Sequence, residues 1–171
     1  DGFLPQLLVE LGEGASVVGD LVAAPGPARP AAWARNVWHA PELHPIASIG
    51  DAARRLRAIQ RSWHLHPIGH FRRAELIREK LPPVSARPLV FPDPPPAAPL
   101  GSWTLLDPGT MLAAARCDSP VPDGEWRFVE DRDAPPSRAY LKLWEALTRV
   151  GRHPGPGERC IDLGASPGGW T

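Results

Sequence analysis

The sequence predicts an α+β module followed by the opening of an α/β domain. Three observations carry this. Strand-length apolar segments and two helical stretches are mixed along residues 1–129. A polar, proline-terminated stretch, 130–136, then interrupts the pattern. Beyond it come a helix, a short apolar run and a glycine-rich turn, the order in which a doubly wound sheet begins. The boundary is drawn accordingly, with one module over 1–133 and the start of a second domain over 134–171.

The elements of the first module follow in order. Residues 3–24 pass between apolar runs and glycines, so Val17, Val18, Leu21 and Val22 are placed on short strands turned by Gly12, Gly14 and Gly19. Pro25–Pro30 is a loop, and Trp33–Trp38 reads as a strand. Over 48–63 the spacing of Ala52, Leu56, Ile59 and Trp63 predicts a helix, opened by the Ser48-x-x-Asp51 capping pattern. Arg54, Arg57 and Arg61 share another face of it. A second helix is expected over 72–81, stopped by Pro82-Pro83. Pro88–Phe91, Ser102–Leu106, Met111–Ala115 and Gly124–Val129 are read as strands, with a turn at Asp107-Pro108-Gly109.

In the second domain Ser137 is expected to cap a helix over 138–150, with Tyr140, Trp144 and Leu147 on its apolar face and Gly151 as its stop. A short buried strand, Cys160–Leu163, leads into the glycine turn.

The formal net charge is zero, so no global field selects a partner. The local distribution is uneven, because residues 54–87 hold nine basic and two acidic groups between two acidic flanks. Two cysteines without CxxC spacing argue against a disulfide framework and for a reducing, cytoplasmic setting. No run of about 18 apolar residues and no signal-peptide pattern occurs, so a membrane partner is not expected. His64, His66 and His70 lack the regular spacing and the cysteines of a zinc site, and no metal is assigned.

The last fourteen residues carry the chemistry. A strand ends in an acidic residue, and a tight glycine loop follows where a helix should begin, which is where such folds bind a ligand. Glycines let the backbone approach that ligand closely. By itself this is also the pattern of an ordinary turn or a nucleotide-binding loop. The string Asp162-Leu163-Gly164-Ala165-Ser166-Pro167-Gly168-Gly169-Trp170 is more specific. It resembles the first cofactor motif of the FtsJ-like (RrmJ/RlmM-type) ribose 2′-O-methyltransferases, usually D-L-G-A-x-P-G-G-[WF]. The helix before it, Ser137-Arg138-Ala139-Tyr140-Leu141-Lys142-Leu143-Trp144-Glu145, resembles the family's S-R-[AS]-x-x-K-L-x-E.

The resemblance implies a Rossmann-like methyltransferase domain that uses S-adenosyl-L-methionine. Asp162, Gly164, Ser166, Pro167, Gly168, Gly169 and Trp170 would hold the cofactor, and Lys142 would be the first member of a Lys-Asp-Lys-Glu catalytic group. On helix position alone, Lys142 reads first as a solvated lysine paired with Glu145, and the flanking motif and adjacent loop favour the catalytic reading instead. The remaining catalytic residues fall beyond Thr171, so the chain is expected to be truncated in the cofactor motif and inactive alone.

Trp33-Ala34-Arg35-Asn36, Ser119-Pro120 and Pro136–Ala146 together resemble the RlmM-type subgroup, ribosomal RNA methyltransferases with an N-terminal RNA-binding THUMP domain. The first module is therefore expected to be THUMP/ferredoxin-like. Arg54, Arg57, Arg61, Arg72 and Arg73 are its candidate contacts to ribosomal RNA; a solvated helix face is the bland alternative. Trp33, Trp38, Trp63, Trp103 and Trp126 are expected in packing. Two other functions fit the same residues, a non-catalytic RNA-binding protein with a degenerate loop and a methyltransferase for a small molecule or protein.

Overall fold

The computed structural model describes residues 2–85, 87–131, 133 and 137–163. It divides into two compact units, one of residues 1–86 and 97–125, the other of 87–96 and 126–171.

The first unit is organised around a four-stranded sheet. Its strands are β4 (Glu42–Pro45), β5 (Trp63–Leu65), β6 (Gly101–Asp107) and β7 (Thr110–Ala114), in the order β4-β7-β6-β5. β5 runs parallel to β6, and β7 is antiparallel to both of its neighbours. Helices α2 (Ile49–Ile59) and α3 (Phe71–Arg78) connect β4 to β5 and β5 to β6, so the core is a βαβαββ unit. The two helices pack on each other and on one face of the sheet. Ala52, Ala53 and Leu56 of α2, with Ala74 and Ile77 of α3, meet Trp63, Leu65, Trp103, Leu105 and Met111. Alternation along β6 turns Ser102 and Thr104 to the opposite face, where both are also buried. A central strand covered on both faces reads as a continuous buried run, which is what β6 shows from Gly101 to Leu105.

Strand pairing follows the sequence expectation for β6, β7 and the turn between them. Asp107 accepts the Gly109 N–H at 2.7 Å, the side-chain bond that makes an Asp-Pro-Gly turn tight. The hairpin β1 (Ser16–Val18) and β2 (Leu21–Ala23) also forms as read. At α2 the capping pattern works: Ser48 Oγ accepts from Asp51 N–H at 3.1 Å, and the Asp51 carboxylate accepts from Ala47 N–H at 3.1 Å. The Arg54 hydrogen bond, then Ala47 and Arg55, hold the Asp51 carboxyl down at about 2.

Elsewhere the structure departs from the sequence expectation. Trp63 belongs to β5, not to the first helix, which ends where Gln60 turns extended at φ −160°. Its indole reaches back instead, donating to the carbonyls of Leu56 at 2.8 Å and Gln60 at 3.0 Å, and so satisfies the helix end. This is why Trp63 kept helical spacing without being helical. Ile59, expected inward, is exposed.

Residues 4–11, read as part of an irregular apolar stretch, form helix α1 (Leu4–Leu11). Leu4, Leu7, Leu8 and Leu11 have the required spacing. Arg29 completes the helix from outside, donating to the carbonyls of Glu10 and Leu11 at 3.1 and 3.0 Å. The strand expected at 33–38 shrinks to β3 (Trp38–His39), paired with β8 (Arg116–Cys117). Trp33 stacks on Phe3 with ring centroids 4.8 Å apart, and Asn36 accepts from Ser119 N–H.

In the second unit the strand expected at 124–129 is reduced to a bridge between Leu89 and Phe128. The 3-10 turn Pro122–Gly124 takes its first residue, Gly124, and the aromatic side chains that follow pack on a helix rather than in a ladder. That helix, α4 (Tyr140–Val150), starts two residues later than expected, with Ser137 Oγ accepting from Ala139 N–H just ahead of it. Gly151 ends it at φ 69° as predicted. The expected buried strand at 160–163 does not form. Ile161 and Leu163 are 84% and 90% exposed, because among the described residues no neighbouring strand pairs with the segment or covers it. Among the described residues no helix is long and apolar enough to cross a membrane.

Candidate functional site

Helix α4 positions the first candidate, Lys142. The helix is fixed by aromatic packing on one side. Trp144 stacks on Phe91 with centroids 4.7 Å apart and planes within 3°, and it meets Tyr140 and Phe128 edge-on at 4.6 and 5.9 Å. Tyr140 is buried and its hydroxyl donates to the Asp131 carbonyl at 2.9 Å, so its polar end is satisfied where its ring is desolvated. Arg149 lies 5.5 Å from the Trp126 ring centroid, a cation–π distance. Tyr140 and Trp144 lie on the apolar face read with Leu147 from the sequence, whereas Arg149 stands on the other side of α4.

The opposite face carries the charges. Glu145 pairs with Arg149 at 2.8 Å, and Arg138 reaches Glu130. The i, i+3 pairing of Lys142 with Glu145 is therefore not the one formed. Lys142 is exposed, and its ammonium has no ion-pair partner among the described residues. Such a lysine is available to an incoming group, because no carboxylate must be displaced first.

The C-terminal end of α4 borders an open depression of about 480 Å³, lined by Leu147, Val150, Arg152, Glu158 and Cys160 among others. Arg152 and Glu158 pair across it at 3.1 Å. Asp162 follows two residues later and is half-buried. Gly164, Ser166, Pro167, Gly168, Gly169 and Trp170, the rest of the expected cofactor loop, lie outside the described residues.

The basic candidates sit on the helical layer of the first unit. The packing of α2 on α3 places Arg54 and Arg57 on one helix and Arg72 and Arg73 on its neighbour. Arg61 is exposed in the bend after α2, so it does not share the helix face with Arg54 and Arg57. Part of the positive charge is already used. Arg54 and Arg55 both pair with Asp51, at 2.6 and 3.2 Å, and Arg78 pairs with Glu75 at 2.7 Å. Arg57 donates to the Lys80 carbonyl at 3.2 Å, which ties the ends of the two helices together. Arg72 is exposed, while Arg73 is half-buried with its Nε enclosed and unbonded among the described residues.

A group that sequence reasoning missed lies on the other face of the sheet. His64 and His66 meet Asp123, about sixty positions away, and His66 also meets Asp20. Burial pushes the Asp123 carboxyl up, but the hydrogen bonds from His64 and His66 outweigh it and hold the group well below the usual carboxylate range. His64 and His66 stand two apart on an extended segment and so share a face, the one signal the sequence offered. Cys117 lies beside Ser102, with Sγ 3.4 Å from Oγ, and burial pushes its thiol up, so it is a poor nucleophile. Trp63 and Trp103 are core residues as expected, Trp38 and Trp126 are half-buried, and Trp33 is 45% exposed.

Comparison with known proteins bears on the second unit most directly. A model of the FtsJ-like methyltransferase family matches residues 135–171. Over 53 residues the chain is 53% identical to the ribosomal RNA large subunit methyltransferase M of Halorhodospira halophila, a stretch of 29% of this chain and 15% of that protein. No solved structure matches the chain.

Proposed function

We propose that residues 135–171 open an S-adenosylmethionine-dependent methyltransferase domain whose substrate is a ribose 2′-hydroxyl of ribosomal RNA. The observation that carries the reading is the family match over 135–171, which takes in both the Lys142 helix and the Asp162–Trp170 motif. The identity to a ribosomal RNA methyltransferase supports the substrate class. Asp162, Gly164, Ser166, Pro167, Gly168, Gly169 and Trp170 would hold the cofactor, which when bound supplies an electrophilic methyl group. Lys142 would orient the ribose 2′-oxygen by hydrogen bonding and stabilise the negative charge that grows on it as its proton leaves. Its exposure and its lack of an acidic partner among the described residues suit that role. Activity is a property of the whole domain, and the stretch shared with the relative is 15% of that protein's length.

The first unit is proposed as a THUMP-like RNA-binding module, with Arg54, Arg57, Arg61, Arg72 and Arg73 facing phosphates. The proposed boundary between the two functions remains near residue 133, and the compartment proposed for the protein is the cytoplasm, where ribosomal RNA is modified.

The test of the reaction uses protein that carries the complete domain, labelled cofactor and unmodified large-subunit RNA. Label is expected in a dinucleotide resistant to alkaline hydrolysis, because a methylated 2′-oxygen cannot attack the adjacent phosphate. Label only on a base, or none in RNA, would reject the assignment. The RNA face has its own test. Replacing Arg57, Arg61 and Arg72 with Glu should weaken RNA binding and flatten its salt dependence, by about 0.7–0.9 in logarithmic slope for each phosphate no longer neutralised. Arg54 is spared because it holds Asp51 at the start of α2. An unchanged slope would remove these residues from the interface.

A further inference from the structure

We propose that His66 is an imidazolium latch that ties the β1–β2 hairpin to the end of β5 within the first unit and releases it when the ring loses its second proton. The argument is geometric. Nδ1 of His66 lies 2.7 Å from Asp123 Oδ1, and Nε2 lies 2.9 Å from Asp20 Oδ1. A neutral imidazole has one N–H, so one of these contacts would set a ring lone pair against a carboxylate lone pair. Only the doubly protonated ring donates to both. The second oxygen of Asp123 faces His64 Nε2 at 2.9 Å, so this carboxylate is held from two sides. Asp123 adopts φ 52°, ψ 14°, a left-handed conformation uncommon outside glycine, within the turn Pro122–Gly124. The local backbone cost is offset by placing its carboxylate between the two histidines.

The hairpin buries little of its own surface. β1 is exposed throughout and β2 is at most half-buried. Its turn meets the segment after β5 at two points. Gly19, at φ +65°, lies so close to Ile68 that a Cβ would stand 3.0 Å from the Ile68 Cβ. Asp20 is the second point, through His66. The charged or titratable groups around the ring are Asp20 from the hairpin turn, Asp123 from the 3-10 turn and His64 from β5. β3 contributes the uncharged Trp38 ring, edge-on at 6.1 Å, while its neighbour His39 is engaged by Asp118.

The direction of the pH effect follows. The Asp123 hydrogen bond raises the His66 value, burial opposes it, and Asp20 adds to the rise. A group raised on folding contributes its full stabilisation below its ordinary value and loses it as pH climbs through the raised one. Asp123 is depressed, so its contribution is complete above the ordinary carboxylate range and fails only as pH falls through the lowered value. With both carboxylates ionised, the latch is therefore closed below the ordinary imidazole value and opens as pH climbs through the raised one.

The experiment measures amide hydrogen exchange at residues 16–23 of the whole chain against pH, corrected for intrinsic exchange, alongside nitrogen spectra of the His66 ring. At about pH 6 both ring nitrogens should carry protons. Hairpin protection should fall about tenfold or more as the ring titrates, the loss expected for a charge-assisted hydrogen bond, while β6 and β7 stay protected. Asp20→Ala, at the exposed tip, should give the same loss at pH 6 and lower the His66 titration midpoint without affecting β6 and β7. The proposal is overturned by a single protonated ring nitrogen at pH 6, or by hairpin protection that neither titration nor Asp20→Ala changes.

Discussion

Replacing Lys142 with alanine, in protein that carries the whole methyltransferase domain, is expected to lower turnover by about a hundred- to ten-thousandfold and leave cofactor affinity nearly unchanged. That range is what a positioned proton-transfer or charge-stabilising group contributes to a reaction of this kind. The structure makes the variant a clean one. Lys142 is exposed on α4 and has no ion-pair partner among the described residues, so its removal should change stability by less than about 0.5 kcal/mol. The helix is held from its other side by Trp144, Phe91, Tyr140 and Phe128. A loss of turnover with an intact thermal transition would then report chemistry. Single-turnover methyl transfer together with equilibrium binding of the cofactor separates the two effects. Turnover within threefold of the parent would remove Lys142 from the mechanism and leave it a solvated helix residue.

The largest effect on stability is expected at Trp103. Its ring is completely buried at the centre of β6, among Leu56, Ile77 and Met111. Trp103→Ala should cost about 3–5 kcal/mol, from lost burial and from the cavity left between the helices and the sheet. For a domain of ordinary stability that is a large share of the whole. Trp103→Phe should be much milder. The indole Nε1 is buried with no hydrogen-bond partner among the described residues, and an unpaired buried donor costs about 1–3 kcal/mol. Phenylalanine gives up some volume but removes that donor, and the two effects oppose each other. Urea denaturation of the three proteins would decide it: a Phe variant as unstable as the Ala variant would show that the N–H has a partner.

The same residues show what was legible beforehand. The β6–β7 hairpin, the α2 cap and the α4 aromatic face are local. Alternation, a Ser-x-x-Asp cap and helical spacing each act within a few residues, so the sequence displays them directly. Errors arose where a distant group decided the outcome. Trp63 kept helical spacing but left the helix, because Gln60 turned extended and its indole found the helix's carbonyls from a strand. Helix α1 ends on the guanidinium of Arg29, which no local pattern announces. The 160–163 run has a strand's composition, yet its apolar side chains stay exposed because, among the described residues, no strand or helix covers them.

What the sequence determined by itself is a set of motifs and the local elements around them. The Asp162–Trp170 string, the Lys142 helix and the central basic segment are strings of residue identity, and reading them requires no coordinates. Tertiary structure alone decided which charges are spent and which are available. It paired Arg35 with Glu125 and His39 with Asp118, 90 and 79 residues away, and left Lys142 without an acidic partner among the described residues. It also set His66 between two carboxylates 46 and 57 residues away. The physical reason is range. Helical periods, caps and turns are fixed by forces acting over one or two turns of chain, whereas ion pairing depends on which segments the packed core brings within about 4 Å of each other.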